Sequence, residues 1–218
     1  MQKLAITILC SDARHPVNNM LAVWQQRQAA VHDVSLCRKK SELGEGDILF
    51  LISCAEIISQ SDLQSFNKAL VLHASDLPQG RGWSPHIWEL VGGARHITLS
   101  LLEAAQQVDS GAIWAKKVIP VPADALFDEI NDLLFAAEAE LMDFAVENFA
   151  SGVAKPQSED LHAGYYRKRT PEDSEIDPHS SLAEQFDLIR VCDPQRFPAF
   201  FRLHGKTYKL ILEKVADE

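Results

Sequence analysis

Two residues of this sequence have side chains that suit proton transfer and lie in stretches typical of loops. His73 follows the apolar run at residues 69–72 and opens a stretch, up to Pro85, that is rich in Gly and Pro. Asp109 comes 36 residues later, two positions before Gly111. An imidazole exchanges protons near neutral pH, and a carboxylate accepts a proton or orients an imidazole. Each also has a plain structural explanation: a histidine at a loop start, and an aspartate that forms a turn.

The elements around His73 place it where ligands commonly bind. Residues 69–73 predict a short buried strand, and Pro85 opens a short helix. His73 therefore lies where a strand ends and an irregular loop begins. In open α/β sheets, ligands bind outside the carboxyl ends of the strands. This edge is thus the first place to look for chemistry.

The rest of the first 150 residues predicts an α/β fold with a mostly parallel sheet flanked by helices. Alternating strands and helices indicate parallel strands with right-handed crossovers. Neither a dinucleotide-binding G-x-G-x-x-G nor a P-loop motif occurs. The predicted strands cover residues 4–9, 32–36, 48–52, 69–73, 95–102 and 112–118, and the predicted helices cover residues 16–29, 61–68 and 124–149.

The last third of the chain predicts a small appendage packed on this core. We expect a core at residues 1–150 and an appendage at 151–218, which opens with a linker at 151–160. Ser181 and Glu184 have the spacing of a capping box, so we expect a helix from there to Val191. Residues 200–212, with Gly205 in the turn, predict a hairpin. The hairpin either folds back on its own core or pairs across a homodimer.

Composition limits the classes of partner. The net charge of −10 argues against a nucleic-acid partner, since phosphate binding relies on Lys and Arg. The four Cys show no C-x-x-C pairing and predict reduced thiols in a cytoplasmic protein. No segment approaches the roughly 20 apolar residues of a membrane span. The His residues form no H-E-x-x-H or Cys/His zinc spacing, so we expect no metal.

The motifs around His73 and Asp109 resemble those of the folate-dependent formyltransferases. The pattern is His73-x-Ser75-x-Leu77-Pro78-x-x-Arg81-Gly82-x-x-Pro85, followed by Asp109-x-Gly111 at a matching separation, with Thr98 between them. The form HASDLP-x-GRGWSP-x-IW is most similar to small sugar N-formyltransferases of nucleotide-sugar pathways, such as pseudaminic acid synthesis. The resemblance is good from residue 47 to 118 and looser in the C-terminal third. It implies a Rossmann-like formyltransferase core.

The resemblance also implies a reaction. It implies transfer of a formyl group from 10-formyltetrahydrofolate to the amine of a nucleotide-linked amino sugar. A formyltetrahydrofolate hydrolase and a non-catalytic folate-binding protein are the alternatives. The implied catalytic residues are His73, Asp109 and Ser75. The implied folate-binding residues are Ile52, Ser53, Cys54, Leu77, Pro78, Arg81, Gly82, Ala104, Gln106 and Val108. The acceptor is expected at Ser11, Asp12 and Arg14, in the loop after the first strand. Aromatic faces and positive charge that suit a nucleotide-sugar diphosphate add Trp83, Tyr166, Arg167 and Arg169 to the expected acceptor-binding residues. For Trp83, Arg81 and the basic run after Tyr166, burial or a surface ion pair is the competing explanation.

One position departs from the family pattern. The family carries Asn two residues before the histidine, and this sequence has Val71 there. Side chains two apart on a strand share a face, so Val71 should face the site and offer no hydrogen bond. Loss of one oxyanion donor costs about 2.7–4 kcal/mol. We therefore expect another donor in its place: Ser53, Ser75 or a backbone N–H of the loop after His73.

Overall fold

A central sheet with helices on both faces organises the chain. The structure is a computed structural model, and it describes residues 2–158 and 164–215. Among these residues the elements are, in chain order, β1 (Ala5–Leu9), α1 (Asn18–Gln28), β2 (Asp33–Cys37), β3 (Gly46–Leu51), α2 (Gln60–Gln64), β4 (Phe66–His73), β5 (Arg81–Gly82), α3 (Pro85–Val91), β6 (His96–Glu103), β7 (Ile113–Pro120), α4 (Phe127–Glu147), β8 (Tyr165–Tyr166), α5 (Phe186–Arg190), β9 (Ala199–Leu203) and β10 (Lys206–Leu210).

Six of these strands form one sheet in the order β2–β1–β3–β4–β6–β7. The pairs β2–β1, β1–β3 and β3–β4 are parallel. In contrast, β6 runs antiparallel to β4, and β7 runs antiparallel to β6. Parallel neighbours need crossover connections, and α1 and α2 supply two of them. The predicted α/β class, a mostly parallel sheet flanked by helices with a C-terminal hairpin, is confirmed.

The two faces of the sheet bury different sets of side chains because successive strand residues point to opposite sides. On one face Ile8, Phe50 and Leu70 pack with Trp24 of α1 and Leu134 of α4 in the larger core. The opposite face buries a smaller cluster, made by Leu9, Leu49, Leu63 and Phe66. Apolar residues on both sides of β1 and β3 thus explain why these strands appear in the sequence as nearly continuous apolar runs.

The helix predicted at residues 61–68 ends earlier than expected. Ser59 caps α2, with its Oγ accepting the Asp62 N–H at 3.2 Å, and the helix stops at Gln64. Phe66 and Lys68 instead lie in β4, where they pair in register with Gly46 and Ile48 of β3. The polar composition of this segment favours a helix locally, and pairing with the neighbouring strand overrides that preference.

The C-terminal part contains the predicted helix and hairpin, with one shift. Ser181 and Glu184 exchange the hydrogen bonds of a capping box, but they close a turn, and α5 begins only at Phe186. The hairpin of β9 and β10 folds back on its own chain, since Phe200 O accepts the Ile176 N–H at 2.8 Å. The division at residue 150 stays a prediction, and residues 159–160 of the predicted linker and residues 216–218 lie outside the described residues.

The helices were compared with the length and apolar character that a membrane-spanning helix needs. Within the described ranges, no helix has both the length and the apolar character required to cross a bilayer.

Candidate active site

His73 and Asp109 meet at the edge where β4 ends. His73 is the last residue of β4, and Asp109 lies in the loop between β6 and β7. Its Oδ1 lies 3.5 Å from His73 Nδ1, and the two side chains are 9% and 6% exposed. The structure therefore brings the predicted acid–base pair together in a nearly water-free position, where electrostatic interactions are strong.

The loop after His73 holds both members of the pair. His73 Nε2 lies 2.9 Å from the Gly80 carbonyl oxygen, and Gly82 N–H donates to Asp109 Oδ2 at 2.9 Å. A carbonyl oxygen only accepts, so Nε2 carries a hydrogen. Nδ1 faces a carboxylate oxygen, which also only accepts when ionised. A ring protonated on both nitrogens is the form that satisfies both neighbours.

Glycine is required at Gly82 for a geometric reason. Its φ is +101°, and a Cβ there would lie 2.3 Å from the Tyr166 carbonyl oxygen. This close approach arises because β5 pairs with β8, which matches Gly82 with Tyr166 in register. The C-terminal segment thus supports the loop that positions Asp109.

We expect Gly111→Ala to disrupt the Asp109 loop. A Cβ at Gly111 would lie 1.7 Å from the Glu103 carbonyl oxygen, so the backbone of β6 or of the loop must move. Overpacking of this kind costs about 1–3 kcal/mol and more where backbone must shift. Chemical unfolding should show a loss of at least about 2 kcal/mol. Gly44→Ala is the matched control, because nothing lies within 4 Å of a Cβ there. Equal stability of the two variants would contradict this close approach.

Ser75 is fully buried and its hydroxyl already has a partner. The Oγ donates to the Gln79 carbonyl oxygen at 2.9 Å, and the Ser75 carbonyl oxygen accepts from Ser100 Oγ at 2.7 Å. These bonds brace the loop between His73 and Gly80. A catalytic role for Ser75 stays a prediction, and the geometry shows it as part of the loop framework.

Val71 and Ser53 lie at the ends of neighbouring strands. Val71 pairs in register with Leu51 of β3, and it shares a side of β4 with His73. Ser53, two residues after β3, is exposed, has φ +46°, and its Oγ lies 3.5 Å from His15 Nε2. Of the two side-chain donors expected to replace the family Asn, Ser53 is the one exposed to solvent.

The residues predicted to bind folate occupy two adjacent segments and the His73 loop. Cys54 and Ala104 pack on the same small core cluster as Ala69, so the segment after β3 and the segment after β6 lie together. Val108 is 58% exposed there, and Ser53 and Gln106 are also exposed. Ile52 and Leu77 are each 1% exposed, and the Ile52 N–H already donates to the Leu9 carbonyl oxygen, whereas Pro78 is half-buried. A folate contact by Ile52 or Leu77 stays a prediction.

Arg81 makes a different contact from the one expected. Its Nη2 donates to Gln157 Oε1 at 3.1 Å, and its Nε is buried without a hydrogen-bond partner among the described residues. The side chain therefore points at the C-terminal segment. A folate contact by Arg81 stays a prediction.

The first set of predicted acceptor residues lies in the loop after β1. Ser11 Oγ accepts the Ala55 N–H at 2.9 Å, and Asp12 forms a 2.5 Å ion pair with Arg196. A hydrogen bond from the Arg14 N–H, with the Arg196 charge acting in the same direction, lowers the pKa of Asp12. Arg196 comes from the C-terminal segment and lies beside this loop, which sequence reasoning did not anticipate.

The second set of predicted acceptor residues forms an aromatic and basic cluster. The rings of Trp88 and Tyr166 stack at 6.3 Å, and the Arg167 guanidinium lies 4.8 Å from the Trp88 centroid. Arg167 also pairs with Asp173, and its guanidinium holds the pKa of that carboxyl well below the usual range. Arg169 donates to the Asp173 carbonyl oxygen at 2.8 Å.

Beside this cluster lies a pair with fewer contacts. Trp83 is 39% exposed, and Lys168 Nζ lies 4.8 Å from its ring centroid. No carboxylate among the described residues lies within ion-pair distance of Lys168. Sequence reasoning named Trp83 as an acceptor-binding residue and included Lys168 only as part of the basic run after Tyr166.

His86 is a further residue that sequence reasoning missed. Its Nδ1 is buried and has no hydrogen-bond partner in the described structure. Burial lowers the pKa of His86 to about 3. Positive charge on His73, on His15 and on Arg169 acts in the same direction, so His86 is a neutral imidazole at neutral pH. Its position directly after Pro85, inside the motif, was the available signal.

The described side chains were also compared with the ligand groups that bind metal ions. Across residues 2–158 and 164–215, no group of three or more His, Cys, Asp and Glu side chains is arranged to hold a metal ion.

Sequence comparison places this geometry in a family. The sequence model described as Formyl transferase matches residues 8–146, which include both His73 and Asp109. The chain belongs to the formyl transferase family. The formyltransferase resemblance of the motifs is thereby confirmed. The chain is also 24% identical, over 92% of its length, to methionyl-tRNA formyltransferase of Clostridium acetobutylicum. It spans 64% of that relative and 54–57% of three others of the same name.

Solved structures share the fold at low identity. Methionyl-tRNA formyltransferase from Clostridium thermocellum has a TM-score of 0.78 at 21% identity, covering 94% of this chain and 90% of that one. HypX from Aquifex aeolicus in complex with tetrahydrofolic acid has a TM-score of 0.73 at 21% identity, covering 94% and 37%. A sugar N-formyltransferase from a Shewanella species has a TM-score of 0.69 at 14% identity, covering 98% and 99%.

Proposed function

We propose that this protein transfers a formyl group from 10-formyltetrahydrofolate to the amine of a nucleotide-linked amino sugar. The observation that carries the transfer step is the His73–Asp109 pair, buried at a strand end inside the family match. The choice of acceptor is supported by the net charge of −10, which disfavours a tRNA. The aromatic and basic cluster around Trp83 and Trp88 also supports it, because it offers ring faces together with cations.

The segments around the catalytic edge suit a folate. Ser53 and Val108 are exposed on the adjacent segments that follow β3 and β6. Backbone N–H and C=O groups match the polar edge of a pterin, and Val108 offers apolar surface to its ring. The buried Nε of Arg81 has no hydrogen-bond partner in the part of the chain that the structure describes, so it is a donor that a ligand oxygen would satisfy. Residues of the predicted folate-binding set therefore fit this group.

The reaction that follows uses the charges already in place. When bound, 10-formyltetrahydrofolate supplies the formyl carbon. Asp109 is fixed by the Gly82 N–H on Oδ2, and its Oδ1 holds the second proton on His73 Nδ1. With the cofactor bound, the imidazolium would stabilise the negative charge on the formyl oxygen as the amine adds. The bond between the formyl carbon and N10 would then break, and N10 would take up the proton that the amine loses, so that tetrahydrofolate leaves. Because both side chains are less than a tenth exposed, this interaction is little screened by water.

An assay with a panel of acceptors tests the proposal. The purified protein is incubated with 10-formyltetrahydrofolate and nucleotide-linked amino sugars, and tetrahydrofolate and product mass are both followed. We expect a product heavier by one formyl group, absent with His73→Ala. Tetrahydrofolate and formate without a formylated product would identify a hydrolase. Folate binding without any turnover would identify a binding protein.

Within this proposal, Trp83 and Lys168 should set acceptor affinity. Stacking of a base on an aromatic ring contributes about 1–3 kcal/mol, and Lys168 has no carboxylate partner among the described residues. Trp83→Leu and Lys168→Ala should each raise the acceptor KM about tenfold, with kcat and the folate KM unchanged. Steady-state kinetics with the acceptor found above checks this. Lys209→Ala, an exposed lysine of the hairpin, removes the same charge and should change nothing. An unaltered acceptor KM in both test variants would exclude this surface.

A further inference from the structure

Gln157 uses its whole side-chain amide to connect the two loops of the catalytic centre. Its Nε2 donates to the carbonyl oxygens of Asp109 and Gly111, each at 2.8 Å. Its Oε1 accepts from Arg81 Nη2 at 3.1 Å. One amide thus joins the loop that carries Asp109 to the loop that carries Gly80 and Gly82. A glutamine with both N–H hydrogens and its oxygen engaged has little freedom to turn.

The backbone of Asp109 needs such support. Its φ is +58°, the left-handed conformation that residues other than glycine seldom adopt. Such a conformation costs about 1–3 kcal/mol and persists where the surroundings enforce it. Two carbonyl oxygens, one at Asp109 and one two residues later, are turned towards the same donor. The two hydrogen bonds from the Gln157 amide therefore stabilise the left-handed backbone conformation of Asp109.

The segment that carries Gln157 is anchored next to this loop. Lys155 and Ile113 exchange two backbone hydrogen bonds of 2.8 Å. Gln157 lies two residues after Lys155, so its backbone is held close to the start of β7. Gln157 also lies beyond residues 8–146, the range of the family match. The centre formed by His73 and Asp109 is therefore completed from outside that range.

We propose that Gln157 is a positioning residue of the catalytic centre. Its amide holds Asp109 in the left-handed conformation, so that Oδ2 receives the Gly82 N–H and Oδ1 faces His73. The rate effects rest on the proposed formyl transfer, whereas the effect on the Gly82 amide does not. A purely structural role, in which Gln157 only fastens the C-terminal segment to the core, makes different predictions for both measurements.

Gln157→Glu is the main variant, because it keeps the shape and removes both N–H donors. Gln157→Met removes the donors without adding charge and serves if the first variant does not fold. Gln107→Glu is the matched control, since it makes the same change on an exposed residue of the Asp109 loop. The amide of Gly82 reports the Asp109 contact directly, through its NMR signal and its hydrogen exchange.

In the Gln157 variants we expect the NMR signal of the Gly82 amide to move towards its position in Asp109→Ala. Hydrogen exchange of that amide should be at least tenfold faster than in the wild type. The kcat should fall about 10- to 100-fold with substrate KM values within twofold. In an Asp109→Ala background, the same Gln157 change should alter the rate less than twofold, because no carboxylate remains to be positioned. Gln107→Glu should behave as wild type.

Two results would overturn the proposal. One is an unaltered Gly82 amide in a folded Gln157 variant. The other is a Gln157 change that lowers the rate by the same factor in the Asp109→Ala background as in the wild-type background, which indicates a structural role. If the wild-type protein transfers no formyl group, the proposed function fails, and the Gly82 amide still decides the role of Gln157.

Discussion

Asp109→Asn should lower the rate of formyl transfer about a thousandfold while leaving the fold intact. An asparagine oxygen still accepts the Gly82 N–H, so the loop keeps its shape. The carboxylate charge beside His73 Nδ1 is lost, and the ring then keeps one proton, on the nitrogen that faces the Gly80 carbonyl oxygen. Loss of a preorganised charge or donor at such a site costs about 10²–10³ in rate, and a misoriented imidazole costs more. Single-turnover formyl transfer measures the change.

The two members of the pair should behave as one unit. His73→Ala should cost about as much as Asp109→Asn, and the double variant little more than either, because each change already removes the positive ring. Asp76→Asn is the matched control: its carboxylate is 68% exposed and pairs with Lys116, and its rate should stay within about twofold of wild type. Multiplication of the two single effects in the double variant would contradict a shared role.

Sequence pattern predicted the sheet and the catalytic edge because both depend on local composition. The apolar runs around Ile8, Phe50 and Leu70 are buried on the sheet, as expected. The resemblance to the formyltransferase motifs, not the spacing alone, implied that His73 and Asp109 act together, and their side chains lie 3.5 Å apart. The end of α2 was mispredicted, since residues of mixed polarity after Gln64 enter β4 through pairing with β3, which no local pattern encodes.

The partners of loop side chains could not be predicted in the same way. A basic run at residues 167–169 suggested open positive charge, yet Arg167 forms an ion pair with Asp173 and Arg169 donates to the Asp173 carbonyl oxygen. Lys168 has no carboxylate within ion-pair distance among the described residues, and its Nζ lies over the Trp83 ring. Gln157 contacts Arg81, 76 residues earlier in the chain. Such contacts depend on how distant segments dock, and a side chain's type alone does not reveal its partner.

A single buried carboxyl should dominate the pH dependence of stability. Glu138 lies in the middle of α4, is 7% exposed, and its Oε2 has no hydrogen-bond partner in the described structure. Burial raises the pKa of this carboxyl from its ordinary 4.5 to about 8. The folded protein therefore keeps the proton over a pH range in which the unfolded chain has already released it. Stability must fall as pH rises through this range, since the folded state binds more protons there.

Glu138→Leu should remove this pH dependence. For the wild type, the free energy of unfolding should decline by up to about 1.4 kcal/mol per pH unit between pH 4.5 and 8, or about 4 kcal/mol in total. The difference in free energy of unfolding between the leucine variant and the wild type should grow by that amount from pH 4.5 to 8, in favour of the variant. The reason is that an apolar side chain replaces a group that must be desolvated and then ionised. Urea unfolding at pH 5, 6, 7 and 8 measures both curves. Glu147→Leu, an exposed position on the same helix, should run parallel to the wild type. Parallel curves for Glu138→Leu as well would mean that water or a polar group reaches this carboxyl, and that its burial does not control the titration.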